Sequence, residues 1–153
     1  MIIEIVKKNK QGLFAYKDGN LLFYSILKSN LTSRIVNIYN QNNDLLLELK
    51  CRSFFIKSFY KISFQNQLLT SFINEINGRS IIFDHDKCLT LRPKYYISFN
   101  YNYYFREAEI AQLKKKILSF SSKMILDIND DKLEFLDQII IHILSIETEV
   151  SVD

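Results

Sequence analysis

The sequence predicts a mostly β domain that closes on a buried C-terminal helix, and three observations carry that reading. Short runs of period-2 alternation, each bounded by a polar turn, recur along the chain. The last apolar segment has a helical period instead and is greasy nearly all round. The composition suits strands: 12 Phe and 9 Tyr stand beside only 3 Gly and 1 Pro. With so few Gly and Pro, Asn, Asp and Ser must make most of the turns, because they tolerate left-handed backbone or bond their own main chain.

The strand candidates follow in order. Ile2 to Val6, Leu13 to Tyr16 and Leu22 to Leu27 come first. Arg34 to Tyr39 turns Val36 and Ile38 inward and ends at the polar turn Asn40-Gln-Asn-Asn-Asp. In Leu45 to Arg52, Leu45, Leu47, Leu49 and Cys51 share one face and Glu48, Lys50 and Arg52 the other. Tyr60, Ile62 and Phe64 line the next strand, followed by Leu68 to Ile73, Arg79 to Phe83 and Cys88 to Arg92. Tyr95 to Phe105 alternates most cleanly: Tyr95, Ile97, Phe99, Tyr101, Tyr103 and Phe105 fall on one side. Glu109 to Lys115 and the strand of Met124, Leu126 and Ile128 complete about twelve, and so many short strands argue for a sandwich or a barrel.

The segment Lys132 to Ile146 reads as a helix. It follows Asn129-Asp-Asp, residues suited to an N-cap, with acids where the helix dipole favours them. Its apolar residues cover an arc of about 240°, against the little over 100° that a surface helix needs. Only Glu134, Gln138, His142 and Ser145 form a polar stripe. Such a helix requires enclosure on nearly every side. A pleckstrin-like barrel also ends in a helix, but it needs only about seven strands and a helix that caps one end.

At 153 residues, 48% hydrophobic and 24% charged, the chain fits one domain with its own core, spanning 1–153. The N-terminus lacks the pattern of a signal peptide, and no apolar run is long enough to span a bilayer. Cys51 and Cys88 sit in no metal or redox motif and read as reduced core or strand residues, so a cytoplasmic protein is expected. The formal net charge of +3 hides an asymmetry: 19 Lys and Arg against 9 Asp and Glu through Lys123, then 1 Lys against 8 acids. A basic body favours anionic partners, although a merely solvated lysine surface accounts for it as well.

An internal echo runs through the chain. Leu46-Leu-Glu-Leu-Lys-Cys-Arg aligns with Ile110-Ala-Gln-Leu-Lys-Lys-Lys at an offset of 64, and Tyr60, Ile62 and Phe64 meet Met124, Leu126 and Ile128 at the same offset. An even offset keeps each side chain on its face, as two related halves of one sheet require.

The unit from Leu46 to Ile62, with Leu-Lys-Cys-Arg-Ser-Phe-Phe and then Phe-Tyr-Lys-Ile, resembles the repeated segment of LURP-one-related proteins. The ending, from Ile110-Ala-Gln-Leu-Lys-Lys-Lys through the acidic break to Ile146, resembles them too. That family stands with the Tubby C-terminal domain and the phospholipid scramblases. The resemblance covers about Asp18 to Ile146 and implies a closed antiparallel barrel of twelve strands threaded by a hydrophobic C-terminal helix. Tubby domains bind phosphoinositides and scramblases act at membranes, so the resemblance implies a role at membranes; the expectation of a non-enzymatic module comes from the residues, with two His and no convincing carboxylate pair. The palmitoylated Cys cluster and apolar end of the scramblases have no counterpart here, and no Tubby headgroup-binding residue matches a position of this chain.

The candidate binding residues are Lys50, Arg52, Lys57 and Lys61 in the first repeat and Lys114, Lys115, Lys116 and Lys123 in the second. Together they would build one basic face for anionic phospholipid, with Phe54, Phe55, Phe59, Leu118 and Phe120 inserting at the interface. The same charges would serve nucleic acid with aromatics stacking on bases, which is less expected here. A protein partner is the alternative. Asp84-His85-Asp86 is the one acid–His–acid cluster and reads as a polar turn, since alternation on a strand would split it as a metal site. His142, on the polar stripe, reads as satisfied or exposed. No phosphate-loop, dinucleotide or hydrolase motif occurs. No cofactor or metal is expected.

Overall fold

The computed structural model describes residues 1–8, 12–54, 57–96, 99–116 and 123–152. Twelve strands precede one helix: β1 (Ile2–Lys8), β2 (Gly12–Lys17), β3 (Asn20–Ser29), β4 (Arg34–Asn40), β5 (Leu45–Phe54), β6 (Lys57–Gln65), β7 (Ile73–Asn77), β8 (Ser80–Phe83), β9 (Lys87–Pro93), β10 (Asn100–Phe105), β11 (Ala108–Lys116) and β12 (Lys123–Ile128). They form one sheet in the order β6-β5-β4-β3-β2-β1-β12-β11-β10-β9-β8-β7, with antiparallel pairing throughout. Successive strands pair, and β1 also pairs with β12, so the sheet rolls into a nearly closed barrel.

The seam lies between β6 and β7. Gln65 bridges it with its side chain, whose Nε2 donates to the Ile73 carbonyl at 2.9 Å while Oε1 accepts from the Ile73 N–H at 3.0 Å. A carboxamide thus stands in for one peptide unit of a missing ladder.

Eight strands leave a bore that side chains alone fill, whereas twelve leave room for a helix about 10–12 Å across. Helix α1 (Leu136–Val152) occupies it, after a 3₁₀ turn at Asp130–Phe135. Every residue from Gln138 to Glu149 is buried. Ile139, Ile140, Ile143 and Leu144 meet inward residues of the wall such as Ile3, Ile5, Leu13, Val36, Leu47, Leu89 and Leu126 in one core.

The helix departs from its expected bounds at both ends. Lys132 has non-helical backbone, so the α-helix proper starts four residues later, and Asn129 makes no side-chain cap. Its amide donates instead to the Glu109 carbonyl at 3.2 Å. The C-terminal part continues beyond Ile146 because the polar residues there find partners inside the wall. Thr148 Oγ1 meets Ser25 Oγ at 2.6 Å, and Ser25 Oγ accepts from the Leu13 N–H at 3.1 Å. Gly12 makes this junction possible: a Cβ there would lie 1.7 Å from the Ser25 carbonyl oxygen.

Two strand expectations also change. Leu68 to Leu69 belongs to the β6–β7 connection, held by Asn66, and the strand begins only at Ile73. The run from Tyr95 is a strand only from Asn100, because Lys94 N–H bonds the Asn100 carbonyl and closes a loop ahead of it. Tyr101, Tyr103 and Phe105 do pack toward the core, while Tyr95 and Phe99 are exposed and Ile97 lies outside the described residues. Phe64 turns outward opposite Glu48, since a bulge between Glu48 and Leu49 shifts the register of β6.

Because neighbouring strands are antiparallel, the connections alternate between two mouths of the barrel. Those after even-numbered strands share the lower mouth, where α1 begins. Those after odd-numbered strands share the upper mouth, toward which α1 runs.

Candidate functional site

The two mouths differ in chemistry. At the lower mouth most turns carry acid: Asp18, Asp44, Asp84 with Asp86, Glu107, and Asp130 with Asp131. Several are tight, with left-handed backbone at Asp18, Gly19, Asn43, Asp84, His85, Arg106 and Glu107. Asp84-His85-Asp86 is the β8–β9 turn: His85 N–H bonds Asn74 Oδ1 at 2.8 Å, and Asp84 pairs with Lys87 at 3.7 Å. Among the described residues no three His, Cys, Asp or Glu come together as a metal-binding group.

At the upper mouth the described parts of the connections 7–12, 28–34, 52–58, 76–80, 93–100 and 115–123 hold Lys and Arg and not one acid. Large apolar side chains stand out among these charges. Leu31 and Tyr96 are fully exposed, and Tyr95, Phe59 and Phe99 are more than half exposed. Leu31 rides on a rigid tip. Asn30 Oδ1 accepts from the Thr32 N–H at 3.0 Å and the Ser33 N–H at 2.7 Å, and Asn30 N–H closes the turn onto the Ser33 carbonyl.

The eight expected binding residues fall into place on this frame. Lys50, Arg52, Lys57 and Lys61 form an outward basic patch on β5 and β6, with Lys50 facing Lys61 and Arg52 facing Phe59 in register. Lys114 and Lys116 are exposed on β11, and Lys123 pairs with Glu4 at 3.3 Å. The two groups do not share one face. β5 and β11 are six strands apart in a ring of twelve, so they occupy opposite walls and converge only toward the upper mouth. Phe55, Leu118 and Phe120 lie outside the described residues.

Lys115 departs from the expectation. It points inward, forms an ion pair with Glu147 of α1, and lies 4.7 Å over the Tyr101 ring. Alternation dictates this: Lys114 and Lys116 face out, so Lys115 faces the bore. Arg34 makes the matching contact from the other wall, its Nη1 donating to Glu149 Oε1 at 3.2 Å. The two buried carboxylates of α1 thus tie the end of the helix to both sides of the barrel.

A depression of about 890 Å³ opens beside this tie, lined by the Asn30–Ser33 turn, Arg34, Cys51, Arg52, Phe59 and Glu149. Burial foremost pushes the Cys51 thiol up to about 12, with Glu149 adding to it and Arg34 opposing, so the thiol stays protonated. Burial likewise takes the Tyr60 hydroxyl to about 12. His142 is buried whole. Its Nε2–H donates to the Asn77 carbonyl at 2.8 Å, which leaves Nδ1 to accept from the Tyr103 hydroxyl at 2.7 Å. Desolvation lowers its pKa to about 4, so it is neutral and walled in.

The sequence missed Leu31, Tyr95 and Tyr96 as surface features. Pro93 was the available signal for the two tyrosines, since it ends β9 just ahead of them. No helix of the described residues is long and apolar enough to cross a membrane. No family model, curated protein or solved structure matches this chain.

Proposed function

We propose that this protein is a non-enzymatic binding module that docks end-on, by its upper mouth, onto membrane surfaces rich in anionic phospholipid. The carrying observation is the coincidence, at one mouth, of connections that hold Lys and Arg and no acid among their described residues with exposed Leu31, Phe59, Tyr95, Tyr96 and Phe99. Cations near an anionic bilayer gain about 1 kcal/mol each, and apolar tips among them gain by leaving water for the acyl boundary. The acidic lower mouth would be repelled by the same surface, which fixes the orientation. A barrel of the Tubby and LURP-one type, as the sequence resemblance implies, is compatible with this role.

Vesicle flotation tests the proposal. Binding should require anionic lipid and weaken between low and physiological salt. Lys114→Glu with Lys116→Glu should reduce binding at least tenfold, as should Leu31→Glu with Tyr96→Glu. Lys115 is unsuitable for this test, because its loss strands Glu147. Binding to neutral vesicles alone, or unchanged binding by both double variants, would overturn the docking mode.

A further inference from the structure

We infer that the free edge of β6 is a docking site for an extended acidic peptide, which adds to the barrel as a further strand beside the seam. Three observations lead there, and none depends on the membrane reading.

First, β6 is paired on one side only. It ladders with β5, and among the described residues no main-chain ladder joins it to β7. The Gln65–Ile73 clasp joins the lower end of the strand to β7, and above it the two strands share no main-chain ladder among the described residues. Of the twelve strands, β6 alone has no buried residue among those described, and its inward Tyr60 and Ile62 are partly buried against the core.

Second, the internal repeat shows what belongs there. An offset of 64 carries Phe59–Ser63 onto residues 123–127, the part of β12 that pairs with Ile2 to Val6 of β1. The first repeat therefore keeps the strand that receives a neighbour, but β7, which stands in the neighbour's place, lies against it without a main-chain ladder among the described residues. In the filled case Glu4 stands opposite Ile125 and its carboxylate pairs with Lys123, while Ile3 and Ile5 cover the core. The equivalent of Ile125 is Lys61.

Third, the charge selects the occupant. The outward row of the edge is Lys57, Phe59 and Lys61, all exposed. Were a second copy to pair antiparallel about Phe59, Lys57 would face Lys61 twice, and like charges directly opposite repel. A strand alternating acidic and β-branched apolar residues instead sets carboxylates against the lysines and covers Tyr60 and Ile62. Main-chain bonds supply affinity and the alternate side chains supply selection, as in other strand additions.

The probe is a fluorescein-labelled peptide, acetyl-Glu-Val-Glu-Ile-Glu-Val-Glu-amide, followed by anisotropy with the full chain. Two analogues carry N-methyl groups on alternate residues, so that each blocks one edge of the strand. Saturable binding is expected, with one analogue losing at least tenfold and the other little. Lys57→Glu with Lys61→Glu, both at exposed positions, should lose at least tenfold and regain binding when Lys replaces Glu in the peptide. Amide exchange across 57–63 should slow in the complex. Equal binding by both analogues would mean charge attraction without a strand and overturn the inference. So would absence of saturable binding, or a concentration-dependent dimer that the peptide does not dissociate.

Discussion

At the residue scale, the barrel's interior is not purely apolar, and each polar group inside it has a specific answer. His142 is the sharpest case. Its ring is neutral because it is desolvated, and its pKa falls from the ordinary 6.5 to about 4. The unfolded chain therefore binds a proton that the folded chain refuses between those values. Stability is full above pH 6.5 and falls as pH drops toward 4, by about 3 kcal/mol for this residue alone. Denaturation midpoints measured from pH 7 to pH 4 should show this slope, and His142→Gln should lower the proton uptake on unfolding by about one. An unaltered slope in the variant would remove His142 as the cause. The sequence placed His142 on a polar stripe and left it satisfied or exposed; the structure buries it. The sequence could not reveal Tyr103 and Asn77 as the partners, because those contacts span 39 and 65 residues. Lys115 shows the opposite failing. Its alternation with Lys114 and Lys116 was there to be read, but three successive lysines look like one surface patch until the wall is known to have an inside.

At the scale of elements, the helix is the feature the sequence announced most clearly, since an apolar arc of about 240° has no stable place on a surface. The pleckstrin-like alternative, with a helix capping one end, is excluded by the burial of Gln138 to Glu149. Ile141→Asp and Leu144→Asp should each cost several kcal/mol and unfold the chain, because both put an unpaired carboxylate in the bore. Circular dichroism and chemical denaturation would check this, and tolerance of either would contradict enclosure. Lys115→Met should destabilise by about 1–3 kcal/mol through the stranded Glu147, less than for a fully sealed charge because some water reaches the pair. The strands were legible wherever apolar and polar residues alternate beside a turn. They were misplaced at Leu68 to Ile73 and Tyr95 to Phe99, where apolar residues are exposed and the periodic signal has no core behind it. Of these exceptions, Tyr95 and Phe99 belong to the candidate surface, whereas Leu68 and Phe72 lie at the lower mouth.

At the scale of the whole molecule, strand number and direction organise the chemistry. Turns that are far apart in sequence meet at one mouth because the strands alternate, so acids gather below, where Leu68 and Phe72 are also exposed, and cations with Leu31, Tyr95, Tyr96 and Phe99 gather above. Counting turns along the chain could have shown this, but composition alone could not, since the net charge of +3 averages over both ends. The most direct test of end-on docking uses the absence of Trp from the sequence. Leu31→Trp places a single reporter at the tip of the upper mouth, and Asn42→Trp places one at the lower mouth for comparison. Each is mixed with anionic vesicles whose acyl chains carry bromine. Docking by the upper mouth predicts a blue shift and strong quenching at position 31 with neither at position 42. No change at position 31, or equal change at both, would contradict it.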